Sequence, residues 1–456
     1  MRAAIVTLVA SEVIAGAVEP GAARVQAAAR REIADGTMPG IAVAVVHRGR
    51  VVLSQGFGTA NVETGASVTS DTLFQVGSVG KMLTAAAVLE TAADQKLTLH
   101  DPVGRVVTGL DPVIAELTSH QLLAQVSGLR DMPGVHGEQG DESHGRFLRA
   151  LTAADRIVAP GQTFSYSNIG YSLAGFAAAE ASRMTFPDLV RQRVFMPLGM
   201  TRSTLRPEEA ITSRLALGHQ KSGAAVFTVV RPMTHDTRLW PAGYAFSTAA
   251  DLARFAIALV GEGQIDGKRA LHRDTPRAML LPHADLPNLY DGGCYGYATF
   301  QFTMRGQRVA EHAGSMPGFA ALVRTVPAEQ FGVIVLSNAD APAVKTADAA
   351  MEAFLPVTAP VPFTSDGDPL VMDDREKAAI AGRYENRWPF VLSIENGTVV
   401  MRQDDGPPLT VSKVGVNRYV AVGAGNRPRL RFLVSPASNG RPAYLHFALW
   451  AFRKVS

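Results

Sequence analysis

The ten residues Gln75-Val76-Gly77-Ser78-Val79-Gly80-Lys81-Met82-Leu83-Thr84 constrain this chain more than any other stretch. They deliver a serine to the start of an alanine-rich segment of low charge that reads as a buried helix, with a lysine three residues further on. Positions i and i+3 of a helix share a face, with Cβ atoms about 5–6 Å apart, so Ser78 and Lys81 can touch while Val79 and Gly80 point elsewhere. A lysine buried there is pushed towards neutrality by loss of water and by the positive end of its helix. A neutral amine can take the proton of a serine hydroxyl, which makes the pair a candidate nucleophile and base. Two other chemistries fail on this stretch. A phosphate-binding loop needs glycine at position 75 and Ser or Thr after the lysine, where Gln75 and Met82 stand. A nucleophile elbow needs Gly-x-Ser-x-Gly, and that pattern does not surround Ser78.

Before this stretch, Val25, Ala29 and Ile33 recur at helical spacing over residues 22–34, and two apolar runs, 41–47 and 51–57, flank the turn Arg48-Gly49-Arg50. After it, residues 119–129 read as a capped helix closing at Gly128, and residues 130–144 as a long loop rich in Gly, His and acids. Helices follow over 169–181 and 251–260. Near Phe300 the pattern turns to strands, at 300–305, 308–312, 320–326 and 332–336, which are expected to return and pair with the hairpin at 41–57. The fold class is therefore α+β, an antiparallel sheet flanked by helices with an all-helical region. A chain of 456 residues is long for one core, and residues 356–369 read as a proline-rich linker. Beyond it, short strands at 391–394, 399–402, 419–422, 430–434 and 444–452, with an Asn396-Gly397 hairpin turn, predict a small β-barrel over 370–456.

Acids and bases nearly balance, at a formal net charge of +3, so the sequence does not point to nucleic acid. The Ser78 helix carries Lys81 and Glu90 and reads as a globular helix, not a membrane span. The single cysteine, Cys294, rules out an intramolecular disulfide and reads as a small buried residue. Residues 1–21 form either an export signal, with Ala15-Gly16-Ala17 as its cleavage site, or a first helix, which leaves cytoplasmic and periplasmic or secreted locations both open. A metal site at His136, Asp141, Glu142 and His144 is rejected, because no third ligand falls at a helical or hairpin spacing. His120 reads as a capping or packing residue.

Acyl transfer from Ser78 needs further polar partners. Tyr166-Ser167-Asn168 supplies a tyrosine, whose pKa would fall beside two cationic groups, and an asparagine on the same side of an extended segment. With these residues in place, the chain resembles the serine β-lactamase and penicillin-binding-protein-like hydrolases, in the branch of class C β-lactamases, D-alanyl-D-alanine carboxypeptidases, D-aminopeptidases and family VIII carboxylesterases. Ser78-Val79-Gly80-Lys81 is similar to their Ser-x-x-Lys motif, Tyr166-Ser167-Asn168 to Tyr-x-Asn, and His312-Ala313-Gly314 to the Lys/His-x-Gly strand motif, in that order, within residues 22–355. The barrel resembles the lipocalin-like appendage of some D-amino-acid peptidases and peptide-cyclising thioesterases.

The resemblance implies a β-lactamase/transpeptidase-like fold and a covalent mechanism that requires neither cofactor nor metal. Ser78 would attack an acyl carbonyl, with Lys81 and Tyr166 sharing its proton. Asn168 would bind Lys81 and a substrate carbonyl. His312, on an edge strand, would polarise Tyr166 or meet a substrate carboxylate. The N–H groups of Ser78 and Ser315 would form an oxyanion hole, with Gly314 keeping the strand free of a blocking side chain. Class C β-lactamases usually carry lysine where His312 stands, so the reading implied first is an esterase of small acyl esters. A D-amino-acid-specific peptidase or amidase comes second, and an acyltransferase or cyclising thioesterase third. A penicillin-binding sensor without turnover is disfavoured, because all three motifs keep their reactive groups. The implied partners are a small ester or peptide substrate and, through the barrel, a second copy of the chain.

Overall fold

A computed structural model describes residues 20–455 apart from 133–135, 224–225, 287–291, 361–367, 404–405, 424–429 and 436–442. The Ala15-Gly16-Ala17 stretch and the middle of the proline-rich segment thus lie outside the described residues. Helix α1 (Pro20–Ala34) leads into strands β1 (Gly40–His47) and β2 (Arg50–Asn61). Helix α2 (Gly80–Ala93) carries Lys81, and the helical side also includes α3 (Asp141–Arg149), α4 (Asn168–Ser182) and α5 (Ala249–Val260). Strands β3 (Phe300–Met304), β4 (Gln307–Met316), β5 (Phe319–Val326) and β6 (Phe331–Ser337) follow, then helix α6 (Val344–Phe354).

The main sheet is antiparallel and has nine strands. From one edge it runs Ala284–Asp285, Cys294–Tyr295, β3, β4, β5, β6, β1, β2 and Ala66–Ser67. The expected return is present, with Ile41 opposite Ser337 and Val45 opposite Val333. Strand β1 is apolar along its length because both its faces are covered. Ile41, Val43 and Val45 join Val25, Ala29 and Met351 under the paired helices α1 and α6, whereas Ala42, Ala44 and Val46 join Phe255 and Ala256 of α5. Helix α2 is buried on almost every side, as its alanine-rich sequence requires of a helix that is apolar all round.

Strands at Gly382–Glu385, Pro389–Glu395, Thr398–Arg402, Leu409–Gly415, Arg418–Val422, Leu430–Ser435, Tyr444–Phe447 and Trp450–Lys454 pair in succession, and the first closes on the last. Alternate side chains point inward, and Tyr384, Phe390, Tyr419, Phe432 and Phe452 pack the interior. Asn396 and Gly397 both take positive φ at the predicted hairpin turn.

Four local expectations are corrected. The helix expected over 119–129 stops at Leu123, because Gln125 adopts φ 60° and its backbone carbonyl accepts from the Ser165 N–H. Residues 141–149, partly assigned to a loop, form α3, where Asp141 and Glu142 occupy the first turn and Arg146 and Arg149 the last, in the sense the helix dipole favours. His144 is therefore a buried helical residue bonded to the Ser172 carbonyl. Residues 444–452 form a hairpin with Ala448 at positive φ, not one strand. Strand β4 lies inside the sheet, and beyond the Glu311–Phe300 pair its residues 312–316 bond to β5 alone, so an edge is present only there.

One buried carboxylate ties helix α1 to helix α6. Ala343 offers α6 no side-chain cap, and Glu32 of α1 serves instead, accepting from the N–H groups of Lys345 and Thr346 and from the Thr346 hydroxyl. Glu32→Ala is expected to lower stability by about 2–3 kcal/mol, read from a urea unfolding midpoint, with a smaller loss for Glu32→Gln.

Candidate active site

Ser78 lies in a tight 3-10 turn, Gly77–Val79, that runs directly into α2. The serine is thus one turn ahead of the helix proper and is not its cap. Gly77 adopts φ 51°, and a Cβ there would come within 2.6 Å of the Ser315 nitrogen. Across the turn, a Cβ on Gly314 would sit 2.0 Å from the Val76 carbonyl oxygen and 3.0 Å from the Ser78 nitrogen. Glycine at both positions lets the end of β4 lie flat against the serine turn.

Lys81 is fully buried, and its Nζ has three partners: Ser78 Oγ at 3.1 Å, Asn168 Oδ1 at 2.6 Å and the Ala242 carbonyl at 2.5 Å. The Tyr166 and Tyr171 rings cover it, with centroids 4.7 and 5.7 Å away. Burial pulls its pKa down to about 7, against a smaller opposing effect of the Asp131 carboxylate. Asn168 is the first residue of α4. Its neighbour Ser167 caps that helix by accepting from the Gly170 N–H, which places Tyr166 and Asn168 on either side of an extended residue and turns both towards Lys81.

Tyr166 lines the cleft beside Ser78, and burial holds its pKa well above the usual 10. This corrects the expectation of a lowered value: the phenol keeps its proton, because lost hydration outweighs the neighbouring cations. His312 is also buried. Its Nδ1 lies 2.7 Å from the Ala313 carbonyl, which can only accept, so Nδ1 carries the proton and Nε2 is an acceptor, 3.4 Å from the Tyr295 hydroxyl. Burial, and then the Lys81 charge, push its pKa down to about 3. In this arrangement His312 is a neutral imidazole with its N–H engaged. The ring centroids of His312 and Tyr166 are 6.2 Å apart.

All seven sequence-selected residues thus gather at one place. Six of them, Ser78, Tyr166, Asn168, His312, Gly314 and Ser315, line a cleft of about 730 Å³, and Lys81 lies beneath it. Of the other residues singled out, His120 packs against Tyr297, away from the cleft, and Cys294 is buried. Among the described residues, no group of three or more His, Cys, Asp or Glu side chains could hold a metal ion.

The profile of the Beta-lactamase family matches residues 25–357, which contain all seven of these sequence-selected residues. The chain belongs to the Beta-lactamase family. It is a serine hydrolase. Penicillin-binding protein 4 of Amycolatopsis lactamdurans is 27% identical over 379 residues, 79% of this chain and 93% of that protein. The D-alanine carboxypeptidase AmpC of Burkholderia cenocepacia is 26% identical, with a TM-score of 0.58 over 73% of this chain and 99% of its own. The crystal structure of SurE superposes with a TM-score of 0.78 at 24% identity, covering 95% of this chain and 99% of that one. The family match thus ends near residue 357, while the SurE likeness in fold extends over the barrel as well.

Several residues at this family site carried no signal in the sequence. Arg387, Leu449 and Trp450 come from the barrel and form part of the cleft wall. The Leu449 carbonyl accepts from the Tyr166 N–H. Asp131, from the segment assigned to a loop, has its side chain fully buried against Arg387 and Trp450. No helical or strand spacing links position 131 to 387 or 450, so these neighbours emerge only from the folded chain.

Gly314→Ala is expected to push β4 away from the serine turn and to cut the rate of Ser78 labelling by a fluorophosphonate at least tenfold. The measurement is the labelling rate, alongside thermal unfolding of the same variant.

Proposed function

We propose that this hydrolase forms an acyl-enzyme on Ser78 and acts on small acyl esters. The bonding of Lys81 carries this reading. A neutral amine has two N–H groups and one lone pair. Asn168 Oδ1 and the Ala242 carbonyl, which only accept, take the two N–H groups, so the lone pair is left for the Ser78 hydroxyl. Lys81 takes the proton as Ser78 Oγ bonds to the substrate carbonyl carbon. The N–H groups of Ser78 and Ser315 hold the resulting oxyanion. As the tetrahedral centre collapses, the bond to the leaving oxygen breaks. The protonated Tyr166 hydroxyl, in the cleft beside Ser78, gives its proton to that oxygen and regains one from Lys81. Water then attacks the acyl-enzyme by the same route in reverse.

We divide the chain accordingly into a catalytic unit at 22–355, a linker at 356–369 and a barrel at 370–456. The cleft walls support an apolar acyl group, since Leu239, Tyr244, Phe300, Met316, Leu449 and Trp450 all face it. One observation favours a second reading, cleavage or transfer of a peptide that bears a free carboxylate. Among the described residues lining the cleft, Arg387 carries the one permanent positive charge, and its side chain is 30% exposed.

Ser78→Ala is expected to abolish fluorophosphonate labelling, while Lys81→Ala and Tyr166→Phe each slow it by about a hundredfold or more. Near-normal rates in the last two variants contradict the assigned roles. Because Lys81 loses its proton near pH 7, kcat/KM for p-nitrophenyl butyrate is expected to rise with pH through about 7 and then level off. Turnover of that ester without release from D-Ala-D-Ala peptides supports the esterase. The opposite pattern, lost in Arg387→Gln, moves the assignment to the peptide reading.

A further inference from the structure

The Asp131 carboxylate joins the barrel to the catalytic lysine through an unbroken set of hydrogen bonds. Its Oδ2 accepts from Trp450 Nε1 at 3.0 Å and Arg387 Nη1 at 3.3 Å. Its Oδ1 accepts from the backbone N–H of Asn168 at 2.8 Å, and the side chain of that same Asn168 accepts from Lys81 Nζ. The Asp131 N–H donates to Asn386 Oδ1, and Asn386 Nδ2 donates to the Ala451 carbonyl, so the barrel grips this residue from both its backbone and its side chain. A carboxylate with no exposure to water needs such partners, and here most of them lie on the barrel.

We propose that Asp131 is a positioning residue that makes acylation depend on the seated barrel, by fixing the first turn of α4 and so the Asn168–Lys81 contact. This rests on the reading of Lys81 as the base. Asp131 does not touch the reacting atoms. It sets where Asn168 Oδ1 sits, and its charge favours the protonated form of Lys81. Among the described residues, the charged and titratable groups around Lys81 are Asp131 from its loop, Tyr166 ahead of α4, Tyr171 on α4 and His312 on β4, with Arg387 beyond Asp131. Both tyrosines remain protonated and His312 remains neutral, so Asp131 is the anion that acts on Lys81.

The test uses the full chain, with fluorophosphonate labelling of Ser78 followed against pH. In Asp131→Asn, the plateau rate is expected to fall at least tenfold, and the acid limb to move to lower pH, since removing the carboxylate makes Lys81 easier to deprotonate. In Asn386→Ala, which cuts a barrel contact outside the cleft and keeps the carboxylate, the plateau is expected to fall severalfold with the limb in place. An Asp131→Asn protein that labels within threefold of wild type, or that slows with an unmoved limb, overturns the proposal. So does wild-type labelling in Asn386→Ala, which also decides the matter if Asp131→Asn does not fold. Lys81→Ala run alongside separates the two readings: normal labelling there defeats the lysine base, whereas loss of labelling there with normal Asp131→Asn defeats only the role of Asp131.

Discussion

The site depends on keeping the Lys81 amine out of water. An ordinary lysine is protonated up to about pH 10.4, and a fall to about 7 means that holding the ammonium here costs on the order of 5 kcal/mol relative to solvent. The surroundings make that dry environment. Ala85, Ala86 and Ala87 of α2 and Ala174, Ala177 and Ala178 of α4 lie in one buried core, and two tyrosine rings close over the amine. Small side chains let the two helices approach, and the approach is what excludes water. The same core supplies, at Asn168 and Ala242, the acceptors without which a buried amine would be a liability.

Desolvation has a second effect on the same cleft. It raises the tyrosine pKa values as it lowers those of the lysine and histidine, so every titratable side chain gathered next to Ser78 is driven towards its uncharged form. At the barrel seam, by contrast, Asp131 and Arg387 face each other as an ion pair, and the Arg387 guanidinium stands 5.4 Å from the Trp388 and Trp450 rings. In the proposed mechanism, the proton relay in the body of the protein is thus separate in space from the permanent cation that the barrel contributes.

Much of this was legible in the sequence wherever the signal was local. The Ser78–Lys81 spacing, the hairpin at 41–57, the strands after Phe300 and the Asn396-Gly397 turn each follow from a few adjacent residues. Two of the expectations that failed, the length of the helix at 119–129 and the pKa of Tyr166, trace to distant contacts. The helix expected over 119–129 ends early because Gln125 turns to bond residues 165 and 167. The pKa of Tyr166 follows from burial by Phe300, Phe164 and the barrel, and not from the cations beside it in the motif. Asp131 had no mark at all, since 319 residues separate it from Trp450.

The position of β1 in the sheet carries a consequence for how the chain is made. Its partners are β2, which follows at once, and β6, which is synthesised nearly three hundred residues later. Glu32 likewise waits for Thr346, 314 residues away. Strand β1 therefore has one apolar flank and one hydrogen-bonding edge open until the residues of β6 have been translated. Contacts of that sequence separation form slowly, and exposed strand edges invite pairing with other chains. The stable centre of the sheet is thus the part of the molecule most dependent on protection before it is complete.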